Sequence, residues 1–290
     1  MITSQTRLLA VLGDPVHHSL SPLMHNAAFA HARLDACYVA LPTPAAHLGD
    51  VLTALWHTQW LGLNITIPHK QRVMKYLAEL TPAAQAIGAV NTLYRGTSGW
   101  CGANTDGVGF LQPLVDWSGE TALVLGYGGA ARAVVWGLRQ RGCQAIHIFS
   151  RNPQQTVPPP AVIHPWSALE FYLPRADLLV NTTPLGMAPH STASPLTPEQ
   201  LGQLPTHAWV YDLIYTPRPT QLLRWAAARG LRTQDGLAML VGQGAAAWGY
   251  WFGQEAPITV MTQALEQFLA QSIPARAPSG PTNDTQGCRK

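Results

Sequence analysis

The sequence predicts an α/β fold built around parallel sheets, and three observations carry that prediction. Apolar runs of strand length alternate with helical patterns between residues 8 and 67. A second series begins near residue 120 with an apolar run that lacks alternation, as a strand buried on both faces requires. A chain of 290 residues, at about 150 per domain, has room for both as separate units.

In order along the chain, Leu8-Leu9-Ala10-Val11-Leu12-Gly13 reads as a buried strand stopped by Gly13-Asp14-Pro15. Ser21-Pro22 opens a helix, with Ser21 as N-cap, Pro22 in the first turn and Leu23, Ala27 and Ala28 as apolar positions. Residues 37–41 form a second strand, 48–56 a second helix, and 61–67 a third strand closed by Pro68. Strand, helix, strand, helix, strand is the grammar of a parallel sheet. Thr121–Leu125 opens the second series. Gly126-Tyr127-Gly128-Gly129-Ala130-Ala131 follows, then a helix ending at Arg141-Gly142, and a strand over 145–149. Leu178–Asn181 and residues 209–213 are later strands, and the Pro-rich stretch 157–160 is a surface loop. Residues 237–254 carry no charge and approach the length of a membrane span. Gln243, Gln254 and four glycines, with no basic flank, make the stretch a packed core helix instead. From about Ser272 the Pro-, Ser- and Gly-rich sequence predicts a disordered tail.

Composition narrows the function. Hydrophobic residues make up 47% and charged residues only 11%, which suits a compact globular chain. The net charge of +3 comes without a basic run, so neither nucleic acid nor a membrane surface is expected as a partner. Cys37, Cys101, Cys143 and Cys288 lie far apart with no metal-ligand spacing, so no metal is expected. Reduced thiols and an N-terminus without a basic, signal-like start fit a cytoplasmic protein.

Gly126-x-Gly128-x-x-Ala131 follows a strand and opens a helix, the context of a dinucleotide fingerprint. Gly126 allows the tight turn, Gly128 lets backbone approach a pyrophosphate, and the helix N-terminus offers amides to phosphate. An NAD site carries an acid at the end of the second strand. Here Phe149-Ser150-Arg151-Asn152 stands there, with no acid from Cys143 to Ala168. Arg151 attracts a 2′-phosphate where an acid would repel it, which predicts NADP.

Three polar groups sit at the ends of elements in the first half. In His18-Ser19-Leu20-Ser21-Pro22, two hydroxyls near a helix start could bind a carboxylate, or Ser21 could serve only as a cap. In Asn64-Ile65-Thr66-Ile67-Pro68-His69-Lys70, a lysine just past a strand could handle a proton if a carboxylate assists it. Asn91-Thr92 with Asn104-Thr105-Asp106-Gly107 could bond hydroxyls, and Asp106 could partner Lys70, or these residues could form turns alone.

These motifs together resemble the shikimate dehydrogenase family over roughly residues 9–268. The match includes the three polar clusters, extended to Met24-His25-Asn26, together with Gly88-Ala89-Val90-Asn91-Thr92 and the glycine loop. It continues through Asn181-Thr182-Thr183-Pro184-Leu185-Gly186-Met187, Asp212-Leu213-Ile214-Tyr215-Thr216-Pro217 and Asp235-Gly236-Leu237-Ala238-Met239-Leu240-Val241-Gly242-Gln243. The resemblance implies reversible, NADPH-dependent reduction of 3-dehydroshikimate to shikimate, in aromatic amino acid biosynthesis. It implies two α/β domains flanking a cleft. A substrate domain with a parallel-rich sheet would take residues 1–106 and 236–272, and a Rossmann-type NADP domain residues 107–235, leaving 273–290 as the tail. Lys70 and Asp106 match the catalytic pair. Ser19, Ser21 and Tyr215 match groups that hold the substrate carboxylate, while Thr66, Asn91, Asp106 and Gln243 match contacts to its ring and hydroxyls. Gly126, Gly128, Gly129, Ala130, Ser150 and Arg151 match the dinucleotide site, and Met187, Gly236 and Met239 its nicotinamide end. A monomer or homodimer is expected.

Two departures stand out. Tyr127 replaces a small residue inside the glycine loop, and Pro153-Gln154-Gln155-Thr156 stands where the family carries a second Arg. Both bear on how strongly NADP is preferred. The alternatives are a quinate/shikimate dehydrogenase that uses NAD or NADP, and a catalytically silent NADP-binding relative, which would have no chemical need for both Lys70 and Asp106.

Overall fold

The computed structural model describes residues 2–271; the predicted tail and Cys288 lie outside them. Twelve strands form two six-stranded sheets. The first contains β1 (Arg7–Gly13), β2 (Ala36–Pro42), β3 (Gly62–Ile65), β4 (Glu79–Leu80), β5 (Thr92–Arg95) and β6 (Trp100–Ala103), in the order β2-β1-β3-β5-β6-β4. The second contains β7 (Thr121–Leu125), β8 (Ala145–Ser150), β9 (Ala161–Pro165), β10 (Leu178–Asn181), β11 (Trp209–Asp212) and β12 (Arg232–Gln234), in the order β12-β11-β10-β7-β8-β9. Helices α1 (Ser21–His31), α2 (Leu48–His57), α3 (Pro82–Ile87) and α4 (Asp106–Leu111) accompany the first sheet. Helices α5 (Gly129–Gln140), α6 (Leu169–Tyr172), α7 (Pro198–Leu201) and α8 (Gln221–Ala228) accompany the second. Two last helices follow, α9 (Leu237–Phe252) and α10 (Ile258–Gln271).

Every pairing in the second sheet is parallel, and its order is that of a doubly wound dinucleotide-binding sheet. Its strands explain their own unalternating sequences. Ala122, Val124, Ile146, Ile148, Leu178 and Val180 face one core, which α5 covers with Val134, Val135 and Leu138. Leu123, Leu125, Phe149 and Leu179 face the other, which α6, α7 and α8 cover with Leu169, Leu201, Leu222 and Leu223. With both faces dry, alternation has no physical reason to exist.

The first sheet is parallel-rich and mixed. β1 pairs in parallel with β2 and β3, but β5 runs antiparallel to β3 and to β6. The β5–β6 hairpin turns through Gly96-Thr97-Ser98-Gly99, closed by Gly96 N–H donating to the Gly99 carbonyl at 3.0 Å. After the second sheet the chain returns to the first. Leu237, Val241, Trp248 and Trp251 of α9, with Met261 and Leu265 of α10, share one core with Leu9 and Val11 of β1 and Met24 and Phe29 of α1. Trp251 Nε1 donates to the Leu93 carbonyl at 3.0 Å. The uncharged stretch is therefore a core helix, and among the described residues no helix is long and apolar enough to cross a membrane.

Three expectations change in detail. Ser21 is the first residue of α1 rather than its N-cap; Leu20 holds that position, without a side-chain cap bond. The third strand ends at Ile65, because Thr66–Lys70 turns away, with His69 N–H donating to the Thr66 carbonyl at 2.8 Å. Strands β4, β5, β6, β9 and β12 lack a sequence forecast.

Candidate active site

The site forms where β3 of the first sheet faces the glycine loop after β7 of the second. Two buried anchors set the β3 loop. His69 is fully buried with Nε2 2.7 Å from the Thr43 carbonyl. The Lys70 carbonyl accepts from Val90 N–H at 2.8 Å. Lys70 therefore starts from fixed backbone and extends its side chain to Asp106, with Nζ 2.6 Å from Oδ2. The ion pair is nearly dry, its side chains 15% and 5% exposed.

Asp106 opens α4, where Asn104 Oδ1 accepts from its N–H at 3.0 Å and Asn104 Nδ2 is tied to the Ala89 carbonyl at 2.9 Å. Its other oxygen, Oδ1, accepts from Asn91 Nδ2 at 2.8 Å. Asn91 in turn accepts from Thr105 N–H at 2.8 Å and reaches Gln243 Oε1 of α9 at 3.3 Å. Gln243 Nε2 donates to the Leu240 carbonyl at 2.8 Å, which fixes its orientation. Lys70, Asp106, Asn91 and Gln243 are thus brought together by four separate segments. Thr92 begins β5 and Asp106-Gly107 begin α4, so these motifs start regular elements rather than stand as turns, and their polar side chains converge. Thr66 lies on the same loop as Lys70, its N–H donating to the Leu12 carbonyl at 2.9 Å.

A second group gathers at the start of α1. Ser19 Oγ accepts from Ser21 N–H at 3.3 Å. The half-buried Tyr215 accepts from the Leu20 backbone, in the segment that carries both serines, and burial pushes it above the ordinary tyrosine range. Three hydroxyls beside a helix start can hold a carboxylate. Tyr38 stands behind them. It is fully buried, donates from its hydroxyl to Asn64 Oδ1 at 2.6 Å, and is pushed well above the ordinary range by burial, with a Ser21 hydrogen bond opposing. Tyr38 supports the site without being singled out by sequence, since a tyrosine in a strand carries no distinctive pattern, whereas Asn104 belongs to a polar cluster that the sequence marks.

The cofactor side is ordered in the same way. Gly126 takes φ +93°, a conformation that favours glycine, and its N–H donates to the Phe149 carbonyl at 2.8 Å. A Cβ built on Gly128 meets nothing within 4 Å, which leaves its backbone open to a large anion. Gly129 and Ala130 open α5 with free amides. A Cβ at Gly129 would stand 3.2 Å from the Lys70 methylenes, so the lysine lies directly against the phosphate-binding turn. Ser150 Oγ accepts from Asn152 N–H at 3.1 Å, shaping the turn that exposes Arg151. Gly236 packs so tightly that a Cβ would fall 2.0 Å from the Leu213 carbonyl oxygen. Met239 is buried in the core shared with β7 and α4, and Met187 is half-buried past β10. The open Gly128, the amides of α5 and an acid-free β8 end fit a dinucleotide bearing an extra phosphate. Among the described residues no cluster could hold a metal ion.

Residues 11–93 match the family model of the shikimate dehydrogenase substrate binding domain, and residues 236–266 that of the shikimate 5′-dehydrogenase C-terminal domain. A shikimate dehydrogenase (NADP(+)) of Thermosynechococcus vestitus is 50% identical over 92% of this chain and 98% of its own. One from Synechocystis is 49% identical over 93% of this chain and 99% of its own. The crystal structure of shikimate 5-dehydrogenase from Thermus thermophilus, in complex with NADP(H) and shikimate, is 37% identical. It matches with a TM-score of 0.80 over 90% of this chain and 99% of that one.

Proposed function

The chain belongs to the shikimate dehydrogenase family, and we propose from that premise that it interconverts 3-dehydroshikimate and shikimate with NADP(H). The observation that carries the reading is the dry Lys70–Asp106 pair, at 2.6 Å, resting against the glycine loop. A proton-handling group and a dinucleotide site meet at one point.

When bound, the nicotinamide supplies or accepts the hydride. The chain's own residues manage position and the proton. Ser19, Ser21 and Tyr215 anchor the substrate carboxylate. Thr66, Asn91 and Gln243 bond ring hydroxyls, with Asn91 and Gln243 already pre-set by each other. In the reducing direction negative charge builds on the carbonyl oxygen, and Lys70 Nζ donates a proton there. Asp106 holds Nζ in place, and Asn91 holds Asp106. In the reverse direction Nζ, as the free amine, receives the hydroxyl proton. Gly126, Gly128, Gly129 and Ala130 receive the pyrophosphate, Ser150 and Arg151 the adenosine phosphate, and Met187, Gly236 and Met239 the nicotinamide end.

The same reading divides the chain at residues 106 and 236, with 1–106 and 236–272 as the substrate domain and 107–235 as the NADP domain. The shared core of β1, α1, α9 and α10 supports it. A cytoplasmic setting fits the free Cys37, Cys101 and Cys143. The test is turnover of shikimate with NADP+, and its loss in Lys70→Ala. Turnover retained in that variant removes Lys70 from the reaction.

A further inference from the structure

Arg132 is a half-buried guanidinium on the first turn of α5, and among the described residues no carboxylate pairs with it. Its Nε is buried without a partner. Its Nη2 donates to Gln155 Oε1 at 3.2 Å, and its guanidinium lies over the Tyr127 ring at 4.6 Å. Both contacts are with residues that depart from the family pattern. Gln155 lies in the segment that lacks the second Arg, four positions past Arg151, and Tyr127 is the bulky residue of the glycine loop. A partly desolvated, unpaired cation is costly unless an anion arrives to meet it. Charge-assisted bonds from a planar guanidinium suit phosphate oxygens.

We propose that Arg132, held by Gln155 and Tyr127, is the second cation of the site that recognises the 2′-phosphate of the cofactor. The helix delivers the charge that the loop after β8 no longer carries. Arg151 is exposed on the turn after β8, and Arg132 is tied to the same loop through Gln155. Tyr127 keeps the guanidinium flat and in place through a cation–π contact, and so becomes part of the specificity device. This inference rests on the NADP reading above.

The test is calorimetric titration of the full-length protein with 2′,5′-ADP and 5′-AMP, which differ only in the 2′-phosphate, and with NADP+ and NAD+. The parent protein should bind 2′,5′-ADP more tightly than 5′-AMP. Arg132→Gln should weaken 2′,5′-ADP and NADP+ by about tenfold while 5′-AMP and NAD+ stay within about twofold. Gln155→Glu, which pairs the guanidinium internally and leaves Arg132 intact, should act in the same direction. Equal losses for both nucleotides in either variant would assign Arg132 to the pyrophosphate or to packing and overturn the proposal. Unchanged selectivity in both variants would also overturn it. A parent protein without 2′-phosphate preference would sink the NADP reading as well. A selective parent with selective variants sinks only the role of Arg132.

Discussion

Lys70 is fixed at both ends, its carbonyl by Val90 and its ammonium by Asp106. A positioned acid–base group contributes about 10²–10⁴-fold, so Lys70→Ala should lower kcat by at least about 10² with little change in melting temperature. Asp106→Asn keeps the hydrogen-bonding shape but removes the charge. Its effect should fall mainly on kcat, measured beside substrate affinity. Asp212 is a different case. It is fully buried, and burial raises its carboxyl to about 6 despite hydrogen bonds from Thr220, Ile214 and Asn181. The folded carboxyl therefore holds its proton more tightly than the unfolded one. The stability this confers is present at low pH and is lost as pH rises from the ordinary aspartate value through about 6. Asp212→Asn lacks this loss. Its stability relative to the parent should improve by about 2–3 kcal/mol between pH of roughly 4 and 7, read from denaturant midpoints. A difference that stays flat with pH would show that Asp212 is not perturbed.

Helix starts and crossings carry the next set of constraints. Gly126 combines φ +93° with a Cβ position 2.9 Å from Thr182 Oγ, so Gly126→Ala strains the turn and displaces the amides of α5. Affinity for NADP+ should fall about tenfold or more in titration. Where α4 crosses α9, a Cβ on Gly109 would lie 2.6 Å from Gln243 N and 2.7 Å from the Met239 carbonyl oxygen. Both neighbours are backbone, so the helices must part. Gly109→Ala should cost about 1–3 kcal/mol of stability, and should disturb both Asp106 and Gln243. The elements themselves were unevenly legible. Thr121–Leu125 and Leu178–Asn181 match their forecast bounds because a twice-buried strand leaves an unbroken apolar run. The β5–β6 hairpin did not announce itself, since strands of four residues such as Thr92-Leu93-Tyr94-Arg95 are too short to establish a period. β9 ends on Pro165 and carries His164, and an edge strand tolerates both. Ser21 misled as a cap because Ser-Pro at a helix start has the same appearance whether the serine lies before or within the first turn.

On the scale of the molecule, two sheets contribute different halves of one chemistry. The β3 loop supplies the lysine, α4 the aspartate, α9 the glutamine, and the turn after β7 the dinucleotide cradle. The chain leaves the first sheet at α4 and returns at α9, so both connections run through the site. The Lys70–Asp106 contact was open on the residues alone, which suited turns equally well, and it was the family resemblance that paired them. The role of Arg132 was legible in neither way, because an arginine on a helix acquires meaning only from what surrounds it in space. The Lys70–Asp106 pair, set beside that cradle, handles the proton while the cofactor, when bound, supplies or accepts the hydride. The most direct test is the initial rate of nicotinamide reduction with shikimate and with quinate, each with NADP+ and NAD+. kcat/KM should be highest for shikimate with NADP+. Faster turnover of quinate with NAD+, or cofactor binding without turnover of either acid, would contradict it.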